Sequence, residues 1–159
     1  MSKISKETEA DRDTVAKLRR IFNENSDKRI LVMGTMCAGK TTLVKSMPEC
    51  LDQDEICWAL LPKELEEKLS KGSWTQELVE AWNQHVEDAT QTVKIEPGRP
   101  LFGGSMFKSD IIVYLNISEQ TLRERAKKRN ADYEVASSYN NKIKEMLKAA
   151  ALPVIVLDI

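Results

Sequence analysis

The 159-residue chain is 31% charged and 42% apolar, and its formal net charge is −1. That balance suits one globular domain and excludes a broad polycationic surface for nucleic acid or membrane. Cys37, Cys50 and Cys57 have neither paired nor zinc-ligand spacing, which predicts a reducing compartment and a cytoplasmic protein. The first residues are charged and form no apolar leader, and no apolar run reaches the roughly 20 residues of a membrane span.

Residues 1–9 are polar and expected to fray. Residues 10–25 place Val15, Leu18, Ile21 and Phe22 at helical spacing, which predicts an amphipathic helix. Residues 29–33 (RILVM) read as a buried strand, Gly34 to Thr42 as a loop, and Thr41 to Met47 as a helix stopped by Pro48. A short strand around Cys50 and Leu51 leads into Asp52-Gln53-Asp54-Glu55. Leu61, Leu65 and Leu69 predict one helix, and Trp74, Leu78, Trp82 and Val86 a second after Ser73. Thr92 to Ile95 is expected to be the third strand, ending at Glu96, with residues 97–105 as turns. Residues 111–115 (IIVYL) are the clearest strand. Ser118 is a plausible N-cap for a basic helix over 119–130. Residues 134–150 read as a helix and 153–157 (PVIVL) as a last strand. Strands alternating with helices predict a parallel sheet covered on both faces. Residues 1–27 read as an N-terminal extension and 28–159 as the main domain.

The strongest chemical signal is Gly34-Thr35-Met36-Cys37-Ala38-Gly39-Lys40-Thr41, which matches G-x-x-x-x-G-K-[ST] at every position. Gly34 and Gly39 are expected to permit backbone angles that curl the loop, so that its N–H groups converge on phosphates. The following helix start favours the same anion. Lys40 is expected to reach the β and γ phosphates, the Thr41 hydroxyl to ligate magnesium, and Thr42 to donate to the α phosphate. The motif follows an apolar strand and precedes a helix, as this chemistry requires.

Asp52 and Asp54 follow the second strand, where a carboxylate next to such a loop can orient metal or acceptor. Asp54 is the candidate to take the proton of an acceptor hydroxyl or to anchor it. Asp52 is the candidate to position magnesium through water. Glu96, at the end of the expected third strand, is a further magnesium candidate, and Arg99 a candidate for an anionic acceptor. Asp158, after the apolar run 154–157, is a competing acidic position. Arg125 and Arg129 are four apart and share a helix face, where two guanidinium groups can clamp a triphosphate. His85 reads as a structural histidine, Trp74 and Trp82 as core or pocket wall, and Gly103-Gly104 as a turn.

These segments together (GTMCAGKTT, LDQDEI, IEPGR and IIVYLNISEQTLRERAKKR) resemble the nucleotide and shikimate kinase group of P-loop kinases over roughly residues 29–159. The resemblance implies a five-stranded parallel sheet in the order 2-3-1-4-5. LDQDEI is similar to the Asp-x-Asp segment of shikimate kinases, whose carboxylates serve magnesium and the acceptor hydroxyl. Arg125 and Arg129 resemble the arginine pair that opens the lid of adenylate-type kinases, the first near the adenine and the second on phosphates. Glu96-Pro97-Gly98-Arg99 is similar to their Asp-Gly-x-Pro-Arg segment, with Glu for Asp and a shortened spacing. The expectation is therefore an ATP- and magnesium-dependent transfer of a phosphoryl group to a hydroxyl or phosphate of a small molecule. A nucleotide-binding regulator or plain NTPase, a catalytically dead nucleotide-binding protein and a 5′-hydroxyl kinase on nucleic acid are the alternatives. The last is disfavoured by the lack of net positive charge.

Overall fold

The computed structural model describes residues 2–159, with side chains from Arg12 onward. Five strands form one all-parallel sheet, and seven helices accompany them among the described residues. The strands are β1 (Ile30–Met33), β2 (Leu51–Asp52), β3 (Leu101–Gly103), β4 (Ile111–Asn116) and β5 (Val154–Asp158). Their order is β2-β3-β1-β4-β5, as expected. The helices are α1 (Ser2–Glu24), α2 (Lys40–Ser46), α3 (Gln53–Ala59), α4 (Lys63–Ser70), α5 (Gln76–Thr92), α6 (Glu119–Lys128) and α7 (Tyr133–Ala149).

The central strand shows why both faces are covered. All four residues of β1 are buried, and successive side chains of a strand point to opposite faces. Ile30 and Val32 pack on one face with Leu18 and Phe22 of α1 and with Leu43 of α2. Leu31 and Met33 pack on the other face with Cys57 of α3, Val86 of α5 and Ile143 of α7. A strand buried on both sides reads as a continuous apolar run, and ILVM is one. Cys50 lies in the first layer and Cys57 in the second. Burial pushes their thiols up to about 12 and about 11 respectively.

The N-terminal helix is longer than the sequence periodicity indicates. It starts at Ser2, where fraying was expected. Leu18 is fully buried, and the Phe22 ring meets Phe102 of β3 edge-on at 6.4 Å between centroids. Segment 1–27 therefore supplies part of the core of the main domain. Arg29 ties the starts of β1 and β4 together. Its guanidinium donates to both carboxylate oxygens of Asp110 at 2.9 and 3.2 Å, and its backbone N–H donates at 2.8 Å.

One expected strand is corrected, and one helix is added. Residues 92–95 are not a strand. The helix α5 runs on to Thr92, and the Val93 N–H closes it by donating to the Ala89 carbonyl. The third strand is Leu101–Gly103, inside the segment read as turns, paired with β1 from Leu31 to Met33. The added helix begins at Gln53, directly after β2. The strand stops at Asp52, whose carboxylate caps a helix by accepting from the Asp54 N–H at 2.9 Å. An aspartate in extended conformation that satisfies a free helical N–H is a strong helix start.

Truncating a fully buried leucine removes contacts and leaves a cavity, at a typical cost of ~2–5 kcal/mol. Leu18→Ala is expected to lower the urea unfolding midpoint by an amount within that range while leaving one cooperative transition. A change within experimental error would show that α1 is not part of the cooperative unit.

Candidate active site

The loop after β1 is tightly curled. The Ala38 N–H donates to the Thr35 carbonyl at 3.2 Å, and the Leu43 N–H donates to the Gly39 carbonyl at 3.0 Å as α2 begins. Two residues take left-handed angles, Cys37 with φ 66° and Gly39 with φ 90°. Gly39 does so without penalty. The sequence-based reason for Gly34 is corrected, because its φ is not in the left-handed region. Gly34 is required for space instead. A Cβ there would stand 3.2 Å from both the Ala38 and Leu115 side chains.

Side chains hold this curl from below. Cys37 is buried with Ile117, Leu122 and Ala126 of the α6 region and with Ala136 of α7. The Thr35 hydroxyl, fully buried, donates to the Ala136 carbonyl at 2.7 Å. It faces away from the cleft, so Thr35 can serve a ligand through its backbone alone. The Lys40 ammonium donates to the Gly34 carbonyl across the loop. Burial lowers the Lys40 pKa, and the charges of Asp54, Asp52 and Cys37 act in the opposite direction.

A cleft of about 790 Å³ opens on this loop. Residues 35–41 form its floor. Gln53 and Asp54 of α3, Trp82 and Glu87 of α5, Gly104 and Ser105 after β3, and Arg129 and Tyr139 at the α6–α7 end form its walls. The volume is within the range of a small-molecule site. Met36 and Thr41 are exposed on the floor, whereas Thr42 is exposed one position along α2 and does not line the cleft.

Both expected acidic positions near β2 are brought to the loop. Asp54 lines the cleft, and Asp52 sits behind it as the helix cap. Burial raises the Asp54 pKa, the Asp52 charge adds to the rise, and Lys40 opposes it. The expected arginine pair also meets the loop. Arg125 donates through Nη1 to the Cys37 carbonyl at 3.4 Å, and Arg129, the last residue of its helical turn, faces the cleft. Only four residues, 129–132, separate α6 from α7.

Glu96 and Arg99 are not part of this constellation. They are exposed and close a tight turn in which the Arg99 N–H donates to the Glu96 carbonyl at 3.1 Å. Pro97 and Gly98, with φ 83° at Gly98, are the turn residues such a bend demands. The turn leads into the start of β3. Because β3 runs parallel to β1, its start lies at the opposite edge of the sheet from the loop that follows β1. Glu96 is therefore not placed for the expected magnesium role, nor Arg99 for the expected acceptor role, at this cleft. Asp158 ends the edge strand β5, is exposed, and accepts from Asn116 Nδ2 at 2.7 Å. It does not line the cleft. His85 is structural, as expected: its Nε2–H donates to the Cys57 carbonyl at 2.6 Å. Among the described residues, no three His, Cys, Asp or Glu side chains cluster to hold a metal.

The site contains a network that motif reading does not reveal. Gln53 is buried, and its Oε1 accepts from the N–H groups of both Gly104 and Ser105 at 3.0 Å. A Cβ at Gly103 would overlap that amide at 2.2 Å, and one at Gly104 would press on the Tyr139 ring at 2.9 Å. The Tyr139 hydroxyl donates to the Gly104 carbonyl at 2.6 Å. Gly103-Gly104 is thus the point where α3 and α7 both grip the end of β3. The one sequence signal was the glycine pair itself. No protein-family model and no curated protein matches this chain.

Gln53→Leu removes both acceptor bonds and leaves the buried Gly104 N–H unpaired, at a cost of ~1–3 kcal/mol, with the partly buried Ser105 N–H losing its partner as well. The variant is expected to unfold at lower urea and to lose hydrogen-exchange protection at the Gly104 and Ser105 amides. Unchanged protection at those two amides would show that Gln53 does not hold them.

Proposed function

We propose that this chain is a P-loop phosphotransferase that moves the γ-phosphoryl group of ATP, with magnesium, to a small-molecule acceptor. One observation carries the reading: Lys40, Asp54 and Arg129 share a single cleft whose floor is the curled loop 35–41. The motif supplies the phosphate-binding chemistry, and the cleft supplies room for an acceptor beside it.

The residues present fit a magnesium nucleotide. Thr41 offers a hydroxyl at the cleft floor, and Asp52 and Asp54 both act on the Lys40 charge. A hard cation carried by phosphates needs only one or two protein oxygens, with water completing its shell. Thr41 would hold it directly and Asp52 through water. When bound, magnesium supplies charge neutralisation at the β and γ phosphate oxygens.

The chain's own groups do the positioning. Loop N–H groups orient the phosphates. Lys40 supplies a full charge in a partly buried setting, where a charge acts more strongly than in water. Arg129 stands over the same cleft and offers a planar, multidentate donor to the phosphoryl oxygens. Arg125 lies against the loop backbone at Cys37 and stiffens it. Asp54 is the carboxylate placed to orient an acceptor hydroxyl and take its proton. Its raised pKa makes it a better base than an exposed carboxylate.

Lys40→Ala is expected to weaken ATP binding by at least about thirtyfold, since removing one partner of a buried charge contact costs about 2–5 kcal/mol. Undiminished ATP affinity by calorimetry would remove the loop from the reading. Asp54→Asn is expected to leave ATP affinity within about threefold and to cut transfer by roughly 10²–10⁴. The pH profile follows from the direction of the shift. Activity needs ionised Asp54, so kcat/KM should rise with pH along a limb displaced upward from that of an ordinary aspartate. Asp54→Asn should flatten that limb. A limb that survives the substitution belongs to another group.

A further inference from the structure

The walls of the cleft differ in charge. Neither α3 nor α5 contains a lysine or arginine, while together they carry six acidic residues: Asp54, Glu55, Glu77, Glu80, Glu87 and Asp88. Two of these, Asp54 and Glu87, line the cleft. The cleft's basic groups lie elsewhere: Lys40 and Arg129 at the loop end, and Lys142 on α7.

The face that α5 presents to the cleft is aromatic as well as acidic. Val79, Trp82, Asn83, Val86 and Glu87 recur at three- and four-residue spacing and share one side of the helix. Trp82 is flanked by Trp58 and Trp74, with centroids 6.1 and 6.0 Å away. Both flanking rings are partly exposed, at 37% and 42%. The Glu87 carboxylate forms no ion pair with any basic group lining the cleft.

We infer that the acceptor is a hydroxyl compound bearing an ammonium group, held by the Glu87 carboxylate and the Trp82 ring on the α5 wall. The inference rests on the phosphotransferase reading above and narrows it. A triphosphate on the loop draws on Lys40 and Arg129, the cations nearest the loop. The charged groups of the α3–α5 wall are then carboxylates alone, with the Trp82 indole, the Gln53 and Asn83 amides and the Val79 and Val86 side chains beside them. An acceptor phosphate or carboxylate placed against that wall would meet two like charges and no cation on either helix. An ammonium meets a carboxylate and an aromatic face, both of which attract it. This argues against the phosphate acceptor that the sequence left open.

The transfer balances without another reactant. The acceptor oxygen forms a bond to the γ phosphorus, and the bond from that phosphorus to the β,γ-bridging oxygen breaks. The electron pair leaves with ADP, and the hydroxyl proton passes to Asp54. The ammonium takes no part in the bond changes and serves to orient the hydroxyl.

The test uses matched trios on the full chain loaded with a non-hydrolysable ATP analogue: 2-aminoethanol, ethylene glycol and glycolate, and glucosamine, glucose and glucuronate. The readout is the melting temperature, with ADP release from ATP as the second measurement. The amine of each trio is expected to raise the melting temperature most and to be the preferred acceptor by at least about tenfold in kcat/KM. Glu87→Gln is expected to erase that preference while ATP affinity stays within about twofold. Equal shifts within each trio, a preference for the acid, or no shift by either amine would overturn the inference. Any of these results, with ATP still bound, leaves the phosphotransferase reading standing. Loss of ATP binding itself would sink both.

Discussion

The geometry of the site depends on a backbone turn that the chain does not adopt freely. Cys37 carries a left-handed φ, a conformation that costs a non-glycine residue of order 1–3 kcal/mol. It persists because neighbouring structure determines it. The Cys37 side chain is packed among α6 and α7 residues, the Thr35 hydroxyl is anchored to the Ala136 carbonyl, and Gly34 is small enough to pass Leu115. The loop curl therefore reports on the α6–α7 unit beneath it. Arg125 adds a contact from the same unit to the loop's upper side. A curl of this kind does not follow from loop composition alone. It needs the last two helices to be in place.

The sequence and the structure agree wherever the local signal was long and unopposed. β1 and β4 are apolar runs buried in a parallel sheet, β5 is the apolar run at its edge, and Ser118 caps α6 by accepting from the Thr121 N–H, as its position indicated. The third strand differs from expectation because Thr-Val-Lys-Ile at 92–95 alternates like a strand, while Leu101–Gly103 is three residues long and embedded in turn-formers. Its pairing with β1 decides the matter, and that contact spans about 70 positions of sequence. The same error displaced Glu96 and Arg99, since a residue at a strand's end and one at its start sit on opposite edges of a parallel sheet. The acidic segment differs: Asp52 ends the strand by capping a helix, so Asp54 is set by helical and not by strand geometry.

The residues of the site divide along the same line. Those in a contiguous motif, from Gly34 to Thr41, were legible from spacing. Asp54, Arg125 and Arg129 were legible through position after a strand. Gln53, Glu87, Asn83 and Tyr139 were not, because each contributes through tertiary placement and none belongs to a pattern. Gly103-Gly104 carries a signal in its composition alone. Two adjacent glycines at a buried strand end imply that other chains of atoms come close, and here Gln53 and Tyr139 do.

The three cysteines have a distribution with practical use. One lies in each separate cluster of buried side chains: Cys50 under the N-terminal helix, Cys57 under α5 and α7, and Cys37 beneath the loop. All three are free and buried, and it is the thiolate, at a sulfur that reagent can reach, that reacts. Alkylation in the native protein therefore waits on local opening. Because the sulfurs occupy different layers, their individual labelling rates, resolved by mass spectrometry, record which layer of the molecule breathes first. The unmodified chain thus carries an intrinsic probe in each layer of its interior.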